Sequence, residues 1–100
     1  DIQERVVEYC YGINKICNII YFTSLQNITL ECDCMDTKQN PVIKDLGILA
    51  STDPVAIDQA AMDLIKKDIF RDYNKIDSSF QLKYAEELNL GSRKYELISL

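Results

Sequence analysis

The chain has 100 residues, 47% of them apolar, and 11 basic against 16 acidic residues give a net charge of −5 and a pI near 4.6. That length allows one domain at most, and its apolar share fits a folded chain that hides roughly 65% of its unfolded surface. The acidic balance excludes a nucleic-acid surface, which needs clustered Lys and Arg, and an anionic-membrane surface. No run approaches the ~18 apolar residues of a membrane span.

Histidine is absent, which removes the commonest general base and the usual nitrogen ligand of zinc. The four cysteines are Cys10, Cys17, Cys32 and Cys34. With no export signal, the expectation is reduced thiols and a cytoplasmic protein. Residue 1 is Asp, and the expectation is either a single α/β domain over residues 1–100 or a fragment of a longer protein.

In chain order, Ile2 to Ile13 reads as an amphipathic helix with Ile2, Val6, Tyr9, Cys10 and Ile13 on its inner face. Gly12 and Asn14 predict its end. Ile16 to Leu25 is rich in β-formers and nearly continuous in apolar residues, which predicts a strand covered on both faces. Lys38 to Pro41 reads as a turn. Val42 to Ala50 predicts a second buried strand, in which Gly47 marks a bulge or a close backbone approach.

Asp53 is a strong N-cap, and Pro54 suits the first helical position. The helix is predicted to run through Lys67 or Phe70. Ile57, Ala61, Leu64 and Ile65 face inward, and Asp63 pairs with Lys67 on the outer side. Arg71 to Ser79 reads as a polar connection. Ser78 or Ser79 caps a last helix from Phe80 to Asn89, buried through Leu82, Ala85 and Leu88. Gly91 stops it at or near a left-handed position, and Tyr95 to Leu100 reads as a terminal strand. The expected fold is a small layered α/β domain of order α-β-β-α-α-β, with a mostly buried short sheet flanked by helices.

The residues that could carry chemistry are few. Two thiolates one residue apart, Cys32 and Cys34, could reach a soft metal or act as a redox pair. Equally, one is a buried small hydrophobe and the other incidental. The spacing lacks the repeated Cys-x2-Cys of structural zinc and the cysteine run of bacterial ferredoxins. Cys10 and Cys17 read as core residues. Asp53 caps its helix, or else the N–H groups from Ser51 to Ala56 bind a phosphate or carboxylate. Asp58 falls between Ala61 and Ile65 on the apolar side of the same helix. There it is either satisfied by donors near the helix start or serves as a ligand or acid/base group. Asp45 opens the second strand, facing the same region or solvent.

The segments Asn27-Ile-Thr-Leu-Glu-Cys-Asp-Cys34 and Asp45-Leu-Gly-Ile-Leu-Ala-Ser-Thr-Asp-Pro-Val-Ala-Ile-Asp-Gln-Ala60 resemble the uncharacterised iron–sulfur-centre proteins, the domain-of-unknown-function family numbered three hundred and sixty-two. The stretch Gln81 to Leu97 is similar to the family's C-terminal part, and Glu4 to Tyr9 to the helix after its ferredoxin-like insert. The chain departs from the pattern at Leu30, where relatives have Pro, and over Lys75 to Asp77, where no His-Pro occurs. The resemblance implies the C-terminal α/β part of a redox protein whose ferredoxin-like module carries [4Fe–4S] clusters and lies outside these residues. That module is the expected partner in the same chain, with a redox partner protein beyond it. Cys32, Cys34, Asp45, Asp53 and Asp58 are the expected metal or redox residues, the carboxylates as auxiliary ligands or proton carriers. The alternatives are a purely structural subdomain that supports the cluster module, or an enzyme domain binding a small anion at the helix start near Ser51.

Overall fold

A computed structural model of the chain describes residues 1–32, 34–65 and 69–100. Its elements are α1 (Ile2–Ile16), β1 (Tyr21–Leu25), β2 (Gly47–Ser51), α2 (Pro54–Ile65), α3 (Ile69–Asn74) and α4 (Ser79–Glu87). The α/β class stands, but the order is α-β-β-α-α-α. Tyr95 to Leu100 forms no strand; the segment is pinned by side chains instead, and Tyr95 donates its hydroxyl to Asp63 Oδ2 at 2.7 Å.

α1 continues past Gly12 and Asn14 to Ile16. Asp1 caps its start by accepting from Gln3 N at 3.1 Å, and Cys17 ends it in an extended conformation. Asn14 does not break the helix because its amide turns back: Nδ2 donates to the Cys10 carbonyl at 2.9 Å and to the Tyr21 hydroxyl at 2.6 Å. The helical period is as predicted, but its apolar stripe does not face the core. Ile2, Val6, Tyr9 and Ile13 are half-exposed or more, and Val7 is the buried residue of α1, at 3% exposure. Tyr84 of α4 donates to Glu8 at 3.1 Å and Arg5 pairs with Glu8 at 2.5 Å, so α1 packs on α4 by its Val7–Glu8 side.

β1 and β2 pair antiparallel, with Tyr21 opposite Ser51, Thr23 opposite Leu49 and Leu25 opposite Gly47. Both strands are shorter than predicted and alternate in exposure rather than being buried throughout. Tyr21, Thr23 and Leu25 turn inward, and α2 packs against both strands. The other face shows Phe22 (72% exposed) and Ile48 to solvent. Gly47 has φ +114 and open space where a Cβ would stand, so the glycine serves the backbone angle rather than a close approach.

The core is small: Val7, Val55, Leu82 and Ala85, with Met62, Tyr84, Leu88 and Leu90 packed around them. α2 lies between the sheet on one side and α4 on the other. It buries Val55, Ile57, Ala60 and Ala61; Leu64 and Ile65 are only partly covered. The predicted continuation through Lys67 and its pair with Asp63 fall on or next to positions outside the described residues. Part of the expected polar connection is the helix α3.

α4 starts beside Asp77, which accepts from Ser79 N at 3.0 Å and Ser79 Oγ at 2.7 Å; Ser78 makes no side-chain cap. It ends in a pair of backbone bonds, Leu90 N to Ala85 O and Asn89 N to Glu86 O, both 3.0 Å. Asn89, at φ 59, holds the left-handed position that the sequence suggested for Gly91.

Candidate functional site

The junction before α2 is closed by the protein itself. Asp53 Oδ1 accepts from Val55 N at 2.8 Å and Ala56 N at 3.0 Å, and its own N–H donates to Ser51 Oγ at 3.0 Å. Oδ2 takes the backbone N–H of Ser92 at 2.9 Å, from the far end of the chain. Gly91 lies so close that a Cβ there would stand 1.9 Å from Asp53 Oδ1. Beside it, Glu86 accepts from Arg93 N at 2.7 Å and pairs with the guanidinium at 3.2 Å. These bonds, the backbone one first, hold its carboxyl below the ordinary value. The N–H groups that an anion would use are therefore occupied by a resident carboxylate.

A cleft of about 190 Å³ opens between α1, β1, α2 and α4. Its walls are apolar, from Val6, Val7, Val55, Leu82 and Leu90, with Cys10, Tyr21, Asp58 and Gln81 as polar points. Asp58 also lines a second cavity of about 270 Å³ with Gln3, Ser78 and Gln81. The carboxylate keeps contact with water at the helix surface, yet the atoms packed around it desolvate it and raise its pKa. No hydrogen bond reaches its side chain among the described residues. The N–H groups of Val55 and Ala56 at the helix start go to Asp53 rather than to Asp58. At the other end of the first cleft, burial raises the Tyr21 hydroxyl, opposed by the bond from Asn14. Asn14 Nδ2 also lies 3.5 Å from Cys10 Sγ, so Cys10 is a half-buried member of a polar trio rather than a core residue.

The remaining candidates lie apart from this cleft. Cys32 and Cys34 are exposed on the segment between the strands, where Cys34 N donates to Cys32 Sγ at 3.3 Å. The chain turns at 34–37, ahead of the expected turn at Lys38 to Pro41. Asp45 Oδ1 accepts from Asn27 N at 2.8 Å and so ties the base of that segment. Among the described residues no three His, Cys, Asp or Glu side chains gather to hold a metal ion.

The model of the family described as Domain of unknown function (DUF362) matches residues 1–63. The chain belongs to this family. No curated protein and no solved structure matches it. The match spans α1, both strands and nearly all of α2, and includes every expected site residue of this DUF362 chain. The Gln81 to Leu97 stretch lies beyond it.

Sequence reasoning missed Asn14, Tyr21 and Gln81. The signal for Asn14 was its spacing of four from Cys10, which lets an amide return to the helix carbonyl. Tyr21 and Gln81 carried none, since only the packing of α4 beside α1 and α2 brings them to the cleft. Among the described residues of the DUF362 chain, no helix is long and apolar enough to cross a membrane.

Proposed function

We propose that the chain is a docking subdomain of an iron–sulfur redox protein, seating the cluster-bearing module on its exposed apolar face. One observation carries this reading. Ile2, Val6, Tyr9 and Ile13 on α1 run into Ile19 and Tyr21 along a groove of about 590 Å³, and Phe22, next to Tyr21 in the chain, stands exposed on the outer face of the sheet. Isolated monomers rarely show apolar patches beyond a few hundred Å², whereas a stable interface takes about 800 Å² from each partner. Ile2 (79% exposed) and Tyr9 (77% exposed) are large apolar side chains left open on this face.

In this reading the clusters reside in the docked module. The described residues of this chain do not fit one: Cys32 and Cys34 stand exposed, Asp45 and Asp53 are engaged by backbone N–H groups, and Asp58 lies in the cleft. No electron-transfer step is assigned to them. The test is binding between this chain and the separately expressed cluster module, with Tyr9→Asp and Phe22→Asp combined. Burial of each ring is worth about 1.5–3 kcal/mol, so the double variant should bind more than about 100-fold more weakly. Equal binding by the parent and the double variant, or none by the parent, sinks the reading.

A further inference from the structure

The two cavities flanking Asp58 share three lining residues, Asp58, Gln81 and Leu82, so the carboxylate stands on the partition between them. One cavity is the apolar cleft walled by Val6 and Val55; the other is bordered by Gln3. Gln3 Oε1 is buried and has no hydrogen-bond donor among the described residues. Asp58 likewise receives no hydrogen bond there. Two acceptors without donors therefore border one cavity, and no Lys or Arg of the described residues lines either space. A buried acceptor loses stability until a donor arrives, and the carboxylate, open to water on one side, has no cation beside it in either cavity. The donor that answers both has several N–H groups and a positive charge. A primary ammonium has three such N–H groups and no acceptor.

We propose that Asp58 anchors a binding site for a small primary amine in its ammonium form, with N–H groups on Asp58 and Gln3 Oε1 and an apolar stem in the cleft beside Leu82. An anion is disfavoured by the unpaired carboxylate, and a neutral alcohol leaves its charge unanswered. The exposure of Asp58 at the helix surface gives the ligand its entry.

The probe is benzylammonium, titrated calorimetrically into the full chain at neutral pH beside benzyl alcohol and benzoate, which share its ring. Benzylammonium should bind about 10–100-fold more tightly than benzyl alcohol, the fold-change of one charge-assisted hydrogen bond, and benzoate should not bind. Asp58→Asn should bring benzylammonium down to the level of the alcohol, and Gln3→Leu should weaken it several-fold with Asp58 intact. The backbone amides of Asp58 and Gln81 should shift on titration. Equal affinity for all three probes, no heat from millimolar benzylammonium, or undiminished binding by a folded Asp58→Asn overturns the proposal. Should either variant unfold, the ranking of the three probes on the parent chain decides.

Discussion

Replacing Gly91 with Ala tests how Asp53 holds the end of the chain. The backbone of Gly91 is not in the positive-φ region, so any residue could adopt it; what excludes a side chain is the Asp53 carboxylate, 1.9 Å from the added Cβ at Oδ1 and 2.9 Å at Oδ2. The carboxylate must swing away, which breaks its bonds from Val55 N, Ala56 N and Ser92 N. A lost cap costs about 0.5–2 kcal/mol and a charged hydrogen bond about 1.5–3 kcal/mol, so Gly91→Ala should destabilise by about 2–5 kcal/mol. That is a large part of the ~5–15 kcal/mol that holds a domain folded. Asp53→Ala should cost a similar amount, because it removes the same bonds. The decisive variant carries both substitutions. Once Asp53 is gone, Gly91→Ala meets no carboxylate and should be neutral, or stabilising by about 0.4–1 kcal/mol through the unfolded chain. The chain has no Trp, so urea unfolding is followed by far-ultraviolet circular dichroism. An equal cost of Gly91→Ala in both backgrounds refutes the clamp.

Asp58 makes a prediction with a definite sign. Its folded pKa is raised by desolvation, so the folded chain holds the proton more tightly than the unfolded one. Stability should fall as pH rises from the ordinary Asp value through the raised one, and the penalty persists above it. Asp58→Asn should therefore be more stable than the parent at neutral pH, with the gap closing on acidification; a gap that is constant with pH in thermal melts excludes the desolvation account. Gly47→Ala should cost about 1–3 kcal/mol by torsion alone, since its φ is +114 and no neighbour obstructs the methyl. Unchanged urea unfolding in that variant would show that the turn into β2 accommodates a side chain.

Much of the local structure was legible because short-range rules decide it. Asp53 followed by Pro54 can hardly be anything but a helix start, and Leu82, Ala85 and Leu88 mark the inner side of α4 by spacing alone. The placement of Asp58 on the apolar arc was legible for the same reason. What the spacing could not say is which apolar stripe meets the chain's own core. α1 has such a stripe, yet Val7 beside it is the residue buried in the core, where Glu8 next to it accepts from Tyr84 of α4. The terminal strand failed on a related point. β-formers at Leu97 and Ile98 need a ladder to join, and the hydrogen bonds that position the tail come from Asp53, Glu86 and Asp63 instead. The bond from Ser92 to Asp53 was invisible because the two residues lie 39 apart in the chain.

That separation makes the stretch from Asp53 to Ser92 a ring tied at a single carboxylate. Its two ends meet at one point whether or not the path between them is intact. The exposed residues from Arg71 to Asp77 lie on the far part of that ring, away from the knot. A break there would leave one piece holding α1, the sheet and α2, and the other holding α4 with its tail, each still bonded to the other through Asp53 and Ser92. The carboxylate of Asp53 thus closes a loop of residues 53–92 at the start of α2, and the packing of α4 against α1 and α2 fills it in.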